Sequence, residues 1–239
     1  MGAAMIRKGL AWLVPAVAAI AFMQAPMAHA GSLSVLPVRI EVAADRQFCS
    51  LRIGNDGDED VTVQVRGLRW DQREDGKDVL DETQPLAINP SIVTIPAGTR
   101  KLVRCSLPVQ AGPVEDSYRL IVSELPRAHE QPGTLQTLLQ LSIPVFRAQP
   151  GASPALHWSN ADDGNLIVTN TGTRHARVAR LSLRGAAGAP VEAPGSFYLL
   201  SGASRVIAAP LSAGAVTAVE AVAEDGSVIP VSFQHGSAP

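Results

Sequence analysis

The chain has 239 residues, with 20 Lys and Arg against 22 Asp and Glu, a formal charge of −2, and a 46% hydrophobic composition that contains only 4% aromatic residues. That balance offers no basic surface for nucleic acid, and beyond the first thirty residues no segment reaches membrane-spanning length, so stable membrane insertion is not expected.

Residues 1–30 have the layout of a secretory signal peptide. Arg7 and Lys8 precede an apolar run over 10–23, and Ala28-His29-Ala30 supplies a small-x-small cleavage site. Removal of this leader makes Gly31 the first residue. Taking Arg7 and Lys8 from the 20 basic residues leaves 18 against 22 acidic ones, a formal charge of about −4. The compact leader and the absence of an Asn-x-Ser/Thr acceptor point to a bacterial periplasm.

Helical periodicity is almost absent and Gly and Pro recur throughout, so the fold class is all-β. Residues 33–42 read as a strand containing Pro37, which implies an edge or a bulge. Residues 48–53 form the next, ending in the turn Gly54-Asn55-Asp56-Gly57. Residues 61–70 follow, with Val61, Val63 and Val65 on one face, and then an acidic, solvated loop over 71–82. Residues 88–95 and 101–107 pair about Pro96-Ala97-Gly98, and 118–125 is a strand of nearly unbroken apolar character. Cys49 shares its parity with Leu51 and Ile53, and Cys105 with Val103 and Leu107, so both thiols point inward. An oxidising compartment favours a structural disulfide, with a reactive or metal-binding pair as the alternative. Paired, the cysteines close a loop of about 57 residues and stabilise the fold by roughly 4 kcal/mol.

The stretch from Leu135 to Phe146 places large aliphatic groups on nearly every odd position. Leu135, Leu139, Leu141, Ile143 and Val145 form an apolar ridge broken only by Thr137, opposite Gln136, Leu138, Gln140, Ser142, Pro144 and Phe146. On periodicity alone such a ridge faces its own core. Ala148-Gln149-Pro150-Gly151-Ala152-Ser153-Pro154 then has linker chemistry. Strand patterns restart at 165–169, 177–184, 196–200, 205–208, 215–222 and 228–233. The expected organisation is a leader over 1–30, a sandwich over 31–148 and a second over 149–239.

Catalytic signatures are missing. His129, His157, His175 and His235 have no zinc-ligand spacing, and there is no nucleophile elbow, Walker loop or dinucleotide fingerprint. The carboxylates of 71–82 lack the spacing and closing glutamate of a calcium loop. No enzyme activity, cofactor or metal is expected.

Five features in order resemble the periplasmic chaperones of the chaperone-usher pathway that assemble bacterial pili. They are Ser34-Val35-Leu36-Pro37-Val38-Arg39, Leu51-Arg52-Ile53-Gly54-Asn55, Pro96-Ala97-Gly98 leading to Val103-Arg104, Glu124-Leu125-Pro126, and the alternating strand. The resemblance implies two immunoglobulin-like β-sandwich domains set at an angle, with a subunit-binding cleft between them. It implies a pilus subunit that lacks one strand and receives an edge strand lent by the chaperone, and an outer-membrane usher as second partner; separately, an exposed apolar strand would encourage a self-capping dimer of the free protein, a question the sequence leaves open. The lent residues would be Leu135, Thr137, Leu139, Leu141 and Ile143. The cleft would anchor the subunit's terminal carboxylate through Arg39, with Arg104 as a further candidate, because the family's second cation, a lysine, falls on Pro144. Leu141-Ser142-Ile143-Pro144-Val145-Phe146 is most similar to the archaic, spore-coat-U-associated type. An interdomain salt bridge from Arg147 to Glu224 or Asp225 would fit the family. Two other classes compete: a structural or adhesive two-domain surface subunit, and a hydrolase or metal-binding sandwich.

Overall fold

The computed structural model describes residues 33–73, 75–109, 112–127, 136–161, 163–185, 189–193, 196–208 and 216–234. The leader, Leu135, His129 and His235 lie outside the described residues. Among those residues every regular element is a strand. In the first half these are β1 (Leu33–Leu36), β2 (Ile40–Val42), β3 (Phe48–Asn55), β4 (Val61–Gln72), β5 (Asp78–Asn89), β6 (Ile92–Ile95), β7 (Arg100–Ser106), β8 (Asp116–Glu124) and β9 (Gln140–Arg147).

They form one sheet in the order β1-β3-β7-β5-β4-β8-β9-β2, with β6 on β4. The sheet folds back on itself because β5 changes partner: Asp78–Asp81 and, after an irregularity, Leu86 pair with β4, and Ala87–Asn89 with β7. Val35, Leu51, Ile53, Val61, Val63, Val65, Leu120 and Val145 are buried between the resulting layers. The strand expected over 33–42 is instead two. β1 pairs with β3 in one layer, and β2 runs parallel to the end of β9 in the other. Pro37 cannot donate to a ladder, and the switch happens there, after a cis Leu36–Pro37 bond. The strand expected over 88–95 is likewise divided, at the cis Asn89–Pro90 bond. The acidic segment 71–82 extends a hairpin: Asp71 lies opposite Val79 and Gln72 opposite Asp78.

The second half comprises β10 (Leu156–Asn160), β11 (Leu166–Asn170), β12 (Ala176–Gly185), β13 (Val191–Ala193), β14 (Phe197–Leu199), β15 (Ser204–Ile207), β16 (Val216–Ala223), β17 (Val228–Ile229) and β18 (Val231–Gln234). A sheet in the order β15-β11-β10-β18 packs over one in the order β13-β12-β16-β17, with β14 on β12. Its core centres on Trp158, Leu166, Val168, Val178, Leu183 and Leu199. β10 and β13 lie outside the strands expected from the sequence. β10 is a five-residue strand with a polar residue at every second position, too short to announce itself by periodicity.

Each half carries the same buried device. Asn55 ends β3, and its Nδ2 donates to the Glu59 and Ile95 carbonyls while its Oδ1 accepts from Gly57 N. Asn170 ends β11, and its Nδ2 donates to the Arg174 and Leu199 carbonyls while its Oδ1 accepts from Gly172 N. In both, an Asn-x-Gly turn is tied to a neighbouring strand by one fully buried amide. Asn55→Ala or Asn170→Ala leaves buried carbonyls unpartnered and should destabilise the protein by about 2–3 kcal/mol, measured by urea unfolding.

Cys49 lies directly opposite Cys105 across β3 and β7, and the two are disulfide-bonded within the first core. Replacing both by alanine removes a cross-link over 56 residues of sequence. The unfolding midpoint in urea should fall by the equivalent of about 2–4 kcal/mol.

Candidate functional site

The alternation of β9 decides what the site can be. Val145 and Ile143 are 0% and 6% exposed and sit in the first core, Leu141 is half-buried against it, Leu139 is half-buried and Thr137 is exposed. The ridge therefore runs off the end of its own sandwich. Ile143, expected among the lent residues, is committed to the protein's own core because Leu120 on β8 lies opposite it. Regular strand geometry begins at Gln140 rather than at 135, and Leu139 is joined to β8 through its carbonyl, which accepts from Glu124 N at 2.8 Å.

That bond also fixes which way the backbone faces. In an antiparallel pair successive residues direct their N–H and C=O groups alternately toward one neighbour and away from it. Leu139, Leu141 and Ile143 thus bond β8, and Gln140, Ser142 and Pro144 face the other edge. β2 covers that edge only opposite Val145, Phe146 and Arg147. Among the described residues, no strand pairs with Gln140–Pro144 on that side. Pro144 is tolerated here because its missing N–H would have pointed away from the β8 ladder.

The even-numbered face of β9 looks into a cleft of about 650 Å³ between the two halves. Its floor is the outer face of β8 and β9, where Arg119 and Pro144 stand side by side, and Leu68 continues the same cross-strand row onto β4. Three arginines line the cleft: Arg39 from the β1–β2 switch, Arg119 from β8 and Arg177 from β12. Tyr198, on β14, lines it too. The Arg119 guanidinium lies 3.6 Å from the Trp70 ring centroid, with Nη2 3.5 Å from Asp78 Oδ2, and its side chain is 15% exposed. Burial pulls its pKa down, but an arginine stays charged under such conditions. For Arg39, burial pulls down and the Tyr198 hydroxyl with Glu41 and Glu224 outweighs it, so the net shift is upward. Arg177 stands 4.4 Å over the Tyr198 ring.

The cleft walls are held by an aromatic junction. Trp70 and Phe146, from the first half, belong to the core of the second. Phe146 stacks on the His175 ring at 3.7 Å, and Tyr198 meets Trp70 edge-on at 5.5 Å. Buried Glu115 accepts from His175 N at 2.8 Å and lies 2.7 Å from its Nδ1. Gln72 joins both sides of Tyr198, donating to its carbonyl and accepting from Leu200 N.

Two expected electrostatic roles fall elsewhere. Buried Arg147 reaches Asp116 opposite it on β8, at 2.6 Å, and the Pro108 carbonyl. Its predicted partner Glu224 is taken by Arg39 at 3.1 Å and Arg177 at 3.6 Å, and Asp225 caps its own turn at Ser227. Arg147 sits too deep in the first half to span the cleft, whereas Arg39 leaves a strand switch at its mouth. Arg104 is exposed on β7, opposite Ser50 in the other layer, and does not line the cleft. Arg119 and Arg177 escaped the sequence reading, although a lone arginine amid the apolar residues of 118–125 was a usable signal. No grouping of three or more His, Cys, Asp or Glu side chains able to hold a metal occurs among the described residues.

Comparison with solved structures gives the same two-sandwich fold. The CsuC–CsuE chaperone–tip adhesion subunit pre-assembly complex from archaic chaperone-usher Csu pili of Acinetobacter baumannii matches with a TM-score of 0.67 at 23% identity, over 86% of this chain and 100% of that one. The Escherichia coli chaperone DraB matches at 0.61 and 18% identity, over 83% and 93%. The Salmonella enterica SafA pilin–SafB chaperone complex matches at 0.59 and 14%, over 83% and 93%. No curated protein sequence matches the chain. Residues 32–152 match the pili and flagellar-assembly chaperone family, PapD N-terminal domain, and the chain belongs to that family of pilus-assembly chaperones.

Proposed function

We propose that the protein is an ATP-independent periplasmic chaperone that binds a pilus subunit, caps it by lending the open part of β9, and delivers it to an outer-membrane usher. The observation that carries this is the combination at one strand of an unpaired backbone edge over Gln140–Pro144 with aliphatic side chains that emerge from their own core. A subunit lacking one strand exposes an apolar groove and an unpaired edge, both aggregation hazards. Strand addition satisfies the two together. Leu139 and Leu141 enter the groove, each contributing on the order of 1.5–3 kcal/mol before ordering costs. Leu135 and Thr137 would extend the same row, and Ile143 supports it from behind.

The cleft supplies the matching electrostatics. A terminal carboxylate arriving along the β9 edge meets Arg39 on one side and Arg119 on the other. Arg119 stands opposite Pro144 on the adjacent strand, so it brings the charge to the position from which the family's lysine is missing. Stacking on Trp70 holds the guanidinium plane, which favours bidentate binding of a carboxylate.

Coexpression with a cognate pilus subunit should yield a one-to-one complex by size-exclusion chromatography. Leu139→Asp with Leu141→Asp should abolish the complex while the protein still unfolds cooperatively in urea, at a midpoint lowered by the cost of placing a carboxylate at Leu141, which is half-buried against the first core; a complex that survives both substitutions sinks the lending reading. Ile143→Ala should do the reverse, lowering stability by about 2–4 kcal/mol through a core cavity.

Arg119→Ala should weaken subunit binding by about 10- to 100-fold, the range of a lost charge-assisted hydrogen bond, measured by titration calorimetry. Arg119→Lys should recover only part of it, because a point charge cannot reproduce the fork.

A further inference from the structure

The cationic end of the cleft already holds a carboxylate. Glu224 follows β16 in a turn closed by Ala223 N to Ser227 O and Gly226 N to Ala223 O, and Gly226 takes the positive φ of 83° that the turn needs. That turn presents the Glu224 carboxylate at the cleft mouth, where one oxygen, Oε2, lies 3.1 Å from Arg39 Nη1 and 3.6 Å from Arg177 Nε. The two arginines come from different halves of the molecule, and one carboxylate oxygen pairs with both. Glu41 also reaches Arg39, at 3.5 Å, but on its Nε edge and while bonded to Arg174 at 2.7 Å. Glu224 is therefore the group that occupies the Nη side of Arg39, the side a guest carboxylate needs. Its side chain is 59% exposed, so it is free to swing into water.

We propose that Glu224 is a resident counter-carboxylate: it holds Arg39 and Arg177 in the cleft before a client arrives and is displaced by the client's terminal carboxylate, which makes it a determinant of client selection. This rests on the reading of the cleft as a carboxylate anchor. A carboxylate alone gains little by the exchange, because it replaces a tethered copy of itself. Only a chain that also delivers apolar side chains and a backbone ladder to β9 gains enough to displace Glu224. The competition thus penalises acidic peptides that lack a strand to offer.

The test uses a synthetic twelve-residue peptide of alternating Val and Thr with a free C-terminal carboxylate, and its C-terminal amide. Their binding is followed by the fluorescence of Trp70, which lies beneath Arg119. Glu224→Gln should raise the acid-to-amide affinity ratio about two- to fivefold, as expected for loss of one exposed competing ion pair. Glu220→Gln, the same charge change at an exposed β16 position away from the cleft, should leave the ratio at the wild-type value. A preference for the acid that Glu224→Gln does not increase, or that Glu220→Gln increases equally, overturns the proposal and leaves the anchor intact. Equal affinity of acid and amide in both the wild type and Glu224→Gln, or no binding of either, overturns the anchor reading itself.

Discussion

The stacked contact between Phe146 and His175 is the constraint on which the rest of the molecule depends. Phe146 is the penultimate residue of β9, and its neighbour Val145 is buried in the first core while Phe146 is buried in the second. One strand is thereby gripped from both faces at its lower end. With Trp70 and Tyr198 closing the same cluster, the two sandwiches share apolar surface rather than meeting across a wet interface. Glu115 reinforces the stack, since it bonds both the backbone and the ring of His175 and so sets the orientation of the imidazole. Such a junction fixes the cleft geometry before any ligand arrives, the general condition for low ordering cost on binding.

Around this apolar centre the charges are sorted by depth. Arg147 and Asp116 are consumed inside the first half, where a buried pair resists loss of either partner more than it adds net stability. Arg119 is intermediate, shielded by Trp70 yet open to the cleft. Arg39, Arg174 and Arg177 share Glu41 and Glu224 at the rim, where solvent screens each pair, and Arg174 also reaches inward to buried Glu115. Adjacent residues can take opposite duties in this scheme: Glu115 reaches across to His175, while Asp116 turns back to Arg147.

Much of this was legible from the chain. Odd-numbered valines over 61–65, inward cysteines and the prolines that punctuate strands are local signals, and alternation reports which residues share a face. It cannot report what covers a face. At β9 both faces are buried at one end, so parity assigned Ile143 to the ridge without showing that the ridge changes environment along its length. The junction was hidden for a different reason. Trp70, Phe146, His175 and Tyr198 are far apart in sequence, and each is unremarkable in its own strand or turn. Glu224 meets Arg39 rather than Arg147 because the strand switch at Pro37, which carries Arg39 to the cleft mouth, is a tertiary event. The N-terminal part of the ridge, with Leu135, lies outside the described residues.

Pro144 gives the open edge of β9 a polarity of its own. Gln140 and Ser142 each turn a donor and an acceptor outward, whereas Pro144 turns out an acceptor only, and immediately beyond it β2 occupies the edge. A strand laid along this edge therefore has a built-in terminus: it can slide in from the Gln140 side but cannot continue past Pro144 without losing a rung and colliding with β2. For the lent edge proposed above, Pro144 and β2 act together as a stop that bars every offset running past Pro144, and the cleft arginines stand beside that end.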